Sequence, residues 1–533
     1  MYTPGLSLGA ILLVAFSLSI GWGVRGNWGH EFGAMIPGAL AALAAVLVSG
    51  REDWRRRIVF FAFFGALGWS FGGSMSYGQV LGYTHSDQLA SVLYGFGCLF
   101  VIGFLWGAMG GAGTALPAAL DRKQLTDFFP PLCAIFLAWM GQYFIFQFGF
   151  VAWETIEWYD TDWLAALTAP VMVLLLAAVR RRFDRPSQLM VAMAAGWWIG
   201  LVVLVLILGL RMTPPRSDNW AGCLGMVAAM LIMLYRWGWK EVIFGALMGG
   251  FFSGGGFVIG NYAKLTGFSA QQAASASAGE GPSFWLSDVT AWLIVNTGLY
   301  SEGSINWHSV MEQKYGFISG VGIALLMGLL ATRTGKVMDD PPHRLWTERF
   351  GFAFVLLLIS YLNIRKNTEA VWLKNDIVPP EMFHLSAYTW FNIGFGLIAA
   401  AVLFAMWRHT RESLPLVPNS WLGRGQGFYL LFLWIIVIGN LIRVFPFPPG
   451  RMITEGVIHF NACLCSVLLL GVTHEINYVP EYPRPDFARW NRNTWAIGLL
   501  ATVIVVGAFA WFTLPLFDEP LFGANVRFGE LAQ

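Results

Sequence analysis

Long apolar runs separated by short polar segments recur along the whole chain. Most runs contain about 16 to 24 residues, the length that an α-helix needs to cross a hydrocarbon core about 30 Å thick. The pattern therefore predicts an all-α polytopic membrane protein with about 15 transmembrane helices (about 14 to 15), and the lipid bilayer as a partner. We place the spans at residues 6–24, 30–49, 58–73, 92–115, 129–151, 163–179, 188–210, 220–235, 241–259, 315–331, 349–364, 386–407, 428–444, 452–471 and 494–516.

Basic residues are concentrated in every second loop between these spans. Arg51 and Arg55 follow the second span, Arg180 and Arg182 follow the sixth, and Arg333 follows the tenth. Cytoplasmic loops of membrane proteins carry an excess of lysine and arginine. The distribution therefore predicts a plasma (cell inner) membrane protein with a cytoplasmic N-terminus and an external C-terminus.

Three short sequences recur in the same order in two halves of the chain, which predicts two parallel repeats of about six helices and a C-terminal three-helix block. The predicted divisions are 1–185, 186–412 with an outer segment at 260–314, and 413–533. The matching pairs are Phe64-Gly-Ala-Leu with Phe244-Gly-Ala-Leu, Arg25…Trp28 with Arg211…Trp220, and Tyr94-Gly-Phe with Tyr315-Gly-Phe.

Composition narrows the class of protein further. Hydrophobic residues make up 56% of the chain and charged residues 12%, about half of what soluble domains carry. The net charge of +2 gives no reason to expect nucleic acid as a partner. The five cysteines lie in apolar stretches, and the chain has no zinc-site spacing, phosphate loop or dinucleotide fingerprint, so we predict no metal and no cofactor.

Five polar and aromatic residues lie between the first two spans: Arg25, Asn27, Trp28, His30 and Glu31. An arginine can hold a carboxylate or phosphate through two hydrogen bonds, and the flat face of a tryptophan suits a sugar ring. Ionisable groups inside a membrane are candidates for function. We predict that Arg25, Asn27 and Trp28 bind substrate and that His30 and Glu31 couple protons. An Arg–Glu pair that only closes a turn is the structural alternative.

A second group follows the third span and includes Tyr77 and Gln79. In the repeat alignment Gln79 corresponds to Asn261, and Arg25 corresponds to Arg211. We predict that Gln79 and Asn261 donate hydrogen bonds to a polar substrate and that Arg211 holds charge. Packing of a glycine-rich helix end is the alternative interpretation.

Two further groups contain a glutamate and a histidine. Glu455 and His459 are four residues apart, so they share a helix face, and we predict that they couple protons. His308 and Glu312 are placed on the outer segment, where loop residues often line sites. Stabilisation of a helix end by Glu455 and His459 is the alternative.

The chain superficially resembles the major facilitator transporters. The resemblance rests on six helices followed by six in parallel, and on the loop Gly50-Arg-Glu-Asp53-Trp-Arg55-Arg56-Arg57 after the second helix. That loop lacks the family's glycine between acid and base, and three helices are left over. The resemblance therefore implies a transporter-like organisation without membership of the family, and no residue roles are carried over from it.

These patterns predict a secondary, ion-coupled transporter for a polar solute, anionic or carbohydrate-like, with a site at the outer side between the repeats. The alternative is an integral-membrane transferase or hydrolase acting on a lipid-linked or glycan substrate at the outer leaflet. Its acid and base candidates are Glu31, Glu154, Glu157 and His308. A cavity open to the cytoplasm through a gate favours the transporter, whereas a blind outer pocket favours the enzyme.

Overall fold

The computed structural model describes most of the chain as helix. It describes residues 4–28, 31–71, 75, 77–156, 158, 162–212, 218–276, 305–335, 345–410, 424–444, 451–472, 485–517, 520–521, 523–525 and 527. The first twelve helices are α1 Leu8–Trp28, α2 Glu31–Val48, α3 Glu52–Arg55, α4 Ile58–Ser70, α5 Gly78–Tyr83, α6 Leu89–Ala119, α7 Arg122–Thr126, α8 Phe129–Gln147, α9 Trp163–Arg180, α10 Arg185–Gly200, α11 Asn219–Trp237 and α12 Lys240–Ala276.

The remaining helices are α13 Trp307–Arg333, α14 Leu345–Ala353, α15 Lys366–Lys374, α16 Ala387–Thr410, α17 Arg424–Val444, α18 Arg451–Val472 and α19 Phe487–Thr513. A wider, π-type turn at Leu201–Ile207 continues α10, and similar turns at Phe354–Ile359 and Tyr361–Arg365 continue α14. A small antiparallel hairpin, Glu381–Met382 with Leu385–Ser386, precedes α16 and pairs Met382 with Leu385.

Thirteen of the described helices are long and apolar enough to cross a membrane, and Gly33–Val48 and Ile58–Ser70 are shorter apolar helices. The chain is therefore a multi-pass, helical membrane protein. In lipid only a helix or a closed barrel satisfies every backbone hydrogen bond of a spanning segment, which is why each apolar run becomes a helix. Every predicted span coincides in position with one of these helices, while the number that cross the membrane stays a prediction.

Six helices form the buried centre: α1, α2, α4, α6, α12 and α13. Their crossings are built from glycine. Gly107 and Gly111 of α6 face Gly245 and Gly249 of α12, so closely that a methyl group on any of the four would fall under 3.0 Å from the other helix. Lipid tails are as apolar as leucine, so helices in membranes gain most from this kind of close van der Waals contact.

Two buried arginines connect helix ends at one end of the centre, which we call the Arg51 end. Arg51 donates two hydrogen bonds to the Asp53 carboxylate, at 2.7 and 2.8 Å, and others to the carbonyls of Ala331 and Thr334 at the end of α13. Arg57 donates to the carbonyls that end α6. Cations are stabilised at helix C-termini, so the basic residues of this loop hold the ends of α6 and α13 together.

The opposite end of the centre, which we call the Arg25 end, contains the end of α1 and the start of α13. Helical structure extends into both sides of the predicted outer segment 260–314, since α12 continues to Ala276 and α13 begins at Trp307. The repeat stays a prediction. Gly65 of its first half packs against Gly38 of α2, whereas the matching Gly245 packs against Gly111 of α6.

Candidate functional site

Three separate segments bring a cluster of polar side chains together at the Arg25 end. Arg25 lies in the last turn of α1, Tyr77 directly precedes α5, and His308 and Glu312 lie in the first two turns of α13. The Asn306 side chain caps α13 by accepting a hydrogen bond from the backbone N–H of Ser309 at 3.2 Å. With the helix started there, His308 and Glu312 are one turn apart on one face.

The hydroxyl group of Tyr77 is at the centre of the cluster. It donates a hydrogen bond to Glu312 Oε1 at 2.6 Å and lies 2.9 Å from His308 Nε2. Arg25 Nη1 lies 2.5 Å from the same Glu312 oxygen and donates to the Tyr77 hydroxyl at 3.2 Å. Four side chains from three segments therefore share one carboxylate oxygen and one hydroxyl.

The cluster is exposed at one end and buried at the other. The side chains of Arg25 and Glu312 are 7% and 3% exposed, whereas that of His308 is 41% exposed. A chain of hydrogen-bonding groups thus leads from an accessible imidazole through a phenol to a buried carboxylate. The structure gives Glu312 Oε2 no hydrogen-bond partner among the described residues, so the carboxylate is only partly satisfied.

The charges of Arg25 and Glu312 balance each other inside the protein. Burying either charge alone is costly, and the pair offsets that cost only when its geometry is good. The guanidinium also lies over the rings of Trp22 and Trp106, at 5.4 and 5.7 Å. Burial, followed by the neighbouring Glu312 carboxylate, raises the pKa of Tyr77 well above its usual range, so the phenol keeps its proton.

A layer of aromatic side chains lies directly below the cluster, towards the centre of the bundle. Trp22 stacks on Trp106 at 5.4 Å and meets Tyr315 edge-on at 4.8 Å, while Trp69 closes a further side. The indole nitrogens of Trp22, Trp69 and Trp106 are buried without an acceptor among the described residues. Buried donors are normally satisfied, so this layer has hydrogen-bonding capacity that the protein itself does not use.

Asn261 lies beside the cluster. Phe257, one turn earlier on α12, meets the Tyr77 ring edge-on at 5.1 Å. The Asn261 side chain is fully buried and donates to Thr84 Oγ1 at 2.9 Å, while its own oxygen has no partner among the described residues. The amide oxygen of Asn261 therefore has unused hydrogen-bonding capacity, and its role in binding a substrate stays a prediction.

The predicted pair Glu455 and His459 forms a second polar group nearby. The Glu455 carboxylate accepts a hydrogen bond from Asn440, and His459 Nδ1 lies 2.7 Å from the Glu455 backbone carbonyl. The imidazole therefore faces the backbone of Glu455 instead of its carboxylate. Thr454 accepts a hydrogen bond from the backbone N–H of Asn306 at 3.1 Å, which joins this group to the start of α13.

Other predicted residues are placed elsewhere or lie outside the description. Gln79 is half-buried, and its backbone carbonyl accepts a hydrogen bond from Asn525. The backbone carbonyl of Arg211 accepts from Tyr94 at 3.0 Å, away from the Arg25 cluster. Asn27 and Trp28 lie at the end of α1 and Glu31 at the start of α2, but the side chains of these three residues are not described. His30 and Glu157 lie outside the described residues. Glu154 is exposed.

The sequence pattern pointed to Arg25 but gave no site role to Tyr77 or Glu312. Hydropathy alone places Glu312 in a loop because the apolar run begins only after Lys314, whereas α13 starts two turns earlier. The spacing of four residues between His308 and Glu312 was a usable signal, since the same spacing singled out Glu455 and His459. Nothing local in the sequence places Tyr77 against Glu312, because 235 positions separate them.

Among the described residues, no group of three or more histidine, cysteine or acidic side chains could hold a metal ion. Comparison with models of protein families, with curated proteins and with solved structures finds no match to this chain.

Proposed function

We propose that this protein is a proton-coupled secondary transporter of a polar, anionic solute. One observation carries the proposal, namely the hydrogen-bonded chain from the accessible His308 through Tyr77 to the buried pair of Glu312 and Arg25. Ionisable groups within membrane-spanning helices commonly mark proton or substrate paths. These hydrogen-bonded groups join His30 and Glu31, whose side chains lie outside the described residues, as proton-coupling candidates of this end of the protein.

The pairing suggests how proton and solute would be coupled. A proton that reaches Glu312 through the Tyr77 hydroxyl neutralises the carboxylate and removes the counter-charge of Arg25. The guanidinium then needs another anion, and a carboxylate or phosphate of the solute supplies it with matching geometry. Asn261, one helical turn beyond the Phe257 that packs on Tyr77, offers a further acceptor at this end of the protein. One proton and one negative charge would therefore be bound together, and neither would be bound well alone.

The test uses purified protein in liposomes that contain a pH-sensitive dye. A panel of lactate, glucuronate, glycerol phosphate and neutral glucose is added outside. We expect at least one anion, and not glucose, to acidify the interior. Glu312→Gln, which mimics the protonated acid, should abolish the acidification, while the exposed Glu381→Gln should leave it unchanged. Acidification by Glu312→Gln at the wild-type rate would contradict the proposal, as would the absence of any solute-dependent signal from folded protein.

A membrane-embedded transferase or hydrolase is the second candidate, supported by the packing below the cluster. The aromatic layer packs on the side of the cluster that faces the Arg51 end, and the helices α6 and α12 touch through glycine. Close packing on that side suits an enzyme that works from the Arg25 end, with Glu312 and His308 as base and acid. Ser253 is a fully buried residue of α12 that lies against Gly107 of α6. Alkylation of Ser253→Cys in a cysteine-free background separates the two functions: reaction from both sides of the membrane favours a transporter, and reaction from one side only favours an enzyme.

A further inference from the structure

A large apolar cavity lies between the buried centre and the helices α8 to α11, apart from the polar cluster. Its volume is about 460 Å³, and α4, α6, α8, α9, α10 and α11 supply most of its wall. Asp162 is the single charged residue of that wall. The Ser70 hydroxyl of the wall donates to its own helix at 2.6 Å. A cavity lined in this way offers water few partners and therefore excludes it.

The cavity is long, and the residues at its two ends differ in exposure. Cys223, Met226, Met230 and Leu234 line it from one face of α11, which corresponds to about 16 Å of helix. That length matches half of a hydrocarbon core about 30 Å thick, the depth of one leaflet. At one end Leu234 is 1% exposed and is therefore shielded from the lipid around the protein. At the other end the side chain of Asp162 is exposed.

The connections between helices show that these are opposite ends of the bundle. The Asp162 carboxylate accepts a hydrogen bond from Asn219 at 2.9 Å, so the start of α9 lies beside the start of α11. Val242, which is buried beside Leu234 in the wall, follows the end of α11. The cavity therefore runs along the helix axes, parallel to the direction in which lipid chains extend.

Six methionines contribute to the wall. Their side chains are unbranched and polarisable, so they adapt to the shape of a flexible hydrocarbon chain better than branched or aromatic side chains do. Leucine, phenylalanine and alanine supply most of the rest. The six are Met35, Met109, Met190, Met193, Met226 and Met230.

We infer that this cavity holds one acyl chain of a zwitterionic membrane phospholipid, which enters beside Asp162 and Trp139. The surrounding bilayer supplies the ligand. The cavity is apolar and as long as one leaflet is deep, so a hydrocarbon chain fills it without needing any hydrogen bond. Asp162 and its hydrogen bond with Asn219 mark the mouth, where the headgroup lies. A carboxylate there repels an anionic headgroup and tolerates a zwitterionic one. The inference is independent of the transport proposal.

The experiment uses wild-type protein in liposomes doped with phosphatidylcholine that carries a photoreactive diazirine at the end of one chain. After illumination, adducts are mapped by mass spectrometry. We expect adducts on Met226 and Met230, which are 7% and 4% exposed and therefore out of reach of bulk lipid. Labelling confined to exposed positions such as Leu167 and Leu174 would overturn the inference.

Two matched variants distinguish the effect of blocking the cavity from the effect of adding a phenylalanine elsewhere on the protein. Ala166 lines the cavity, whereas Ala195 of α10 is exposed and does not. Ala166→Phe should lower the labelling of Met226 and Met230 at least tenfold, and Ala195→Phe should leave it within twofold of wild type. Equal labelling in both variants contradicts a chain in the cavity. Equal labelling of wild type by an anionic phosphatidylglycerol probe contradicts the zwitterionic headgroup.

Discussion

Replacing Gly249 by alanine places a methyl group where two membrane helices touch through their backbones. The new Cβ would fall under 3.0 Å from the Gly107 carbonyl oxygen and from the Gly111 Cα, both of them main-chain atoms of α6. No side chain lies between the helices that could rotate away. The helices themselves must therefore separate, which loosens the crossing along its length.

The magnitude follows from two opposing terms. Alanine favours the helical state over glycine by about 0.8 to 1 kcal/mol. Overpacking of a closely packed site costs about 1 to 3 kcal/mol, and a rigid backbone neighbour places this site in the upper part of that range. We therefore expect Gly249→Ala to be destabilising by about 1 to 2 kcal/mol, with the lost van der Waals contact between helices as the cause.

Gly255 provides a matched control on the same helix. A Cβ at Gly255 would meet no atom within 4 Å, so only the gain in helix propensity remains. The same pair of tests is available on α6, where Gly107 is at the crossing and Gly97 has open space. We expect Gly255→Ala and Gly97→Ala to be neutral or slightly stabilising, and Gly107→Ala to behave like Gly249→Ala.

The assay is thermal unfolding of the purified protein in one detergent, followed by intrinsic fluorescence and by recovery of the monomer peak in size-exclusion chromatography. Because unfolding of large membrane proteins is often irreversible, all variants are heated at one scan rate. An apparent melting temperature of Gly249→Ala equal to that of Gly255→Ala would refute the close crossing of α6 and α12.

Three further results are expected. The Asp53 carboxylate pairs with two buried arginines, Arg51 at 2.7 Å and Arg57 at 3.8 Å, so Asp53→Asn should be destabilising by about 3 to 5 kcal/mol. Glu52→Gln removes only an exposed pair and should change stability by about 0.5 kcal/mol or less. Equal melting temperatures of the two variants would contradict this difference. Because burial raises the pKa of Tyr77, the unfolded chain loses the phenol proton at lower pH than the folded protein does, and stability should fall as pH rises above about 10. Tyr77→Phe should reduce this dependence of stability on pH. An identical dependence in the variant and the wild type, in unfolding scans from about pH 8 to 11, contradicts the burial. The hydrogen bond between Asn261 and Thr84 should give a coupling of about 0.6 kcal/mol in a double-mutant cycle of Asn261→Leu and Thr84→Val, and additive losses would show that the bond contributes nothing.

The helices of this protein follow directly from its apolar runs. A segment of about 20 apolar residues has one low-energy form in a bilayer, whatever its neighbours are, because the backbone must satisfy itself. The positions of the spans could therefore be predicted from the sequence. Their ends were less predictable. The helices α12 and α13 extend beyond their apolar runs, to Ala276 and back to Trp307, and the Asn306 side chain caps the start of α13.

Sequence alone also marked Arg25 and Asn261, because a polar side chain in an apolar helix needs a reason to be there. It did not reveal that Arg25 pairs with Glu312, 287 positions away, or that Tyr77 joins both to His308. Local propensity and hydropathy act within one helix, whereas this site depends on which helices touch. The tertiary structure made that choice through backbone contacts at small residues, and those contacts decided which polar groups share a buried space.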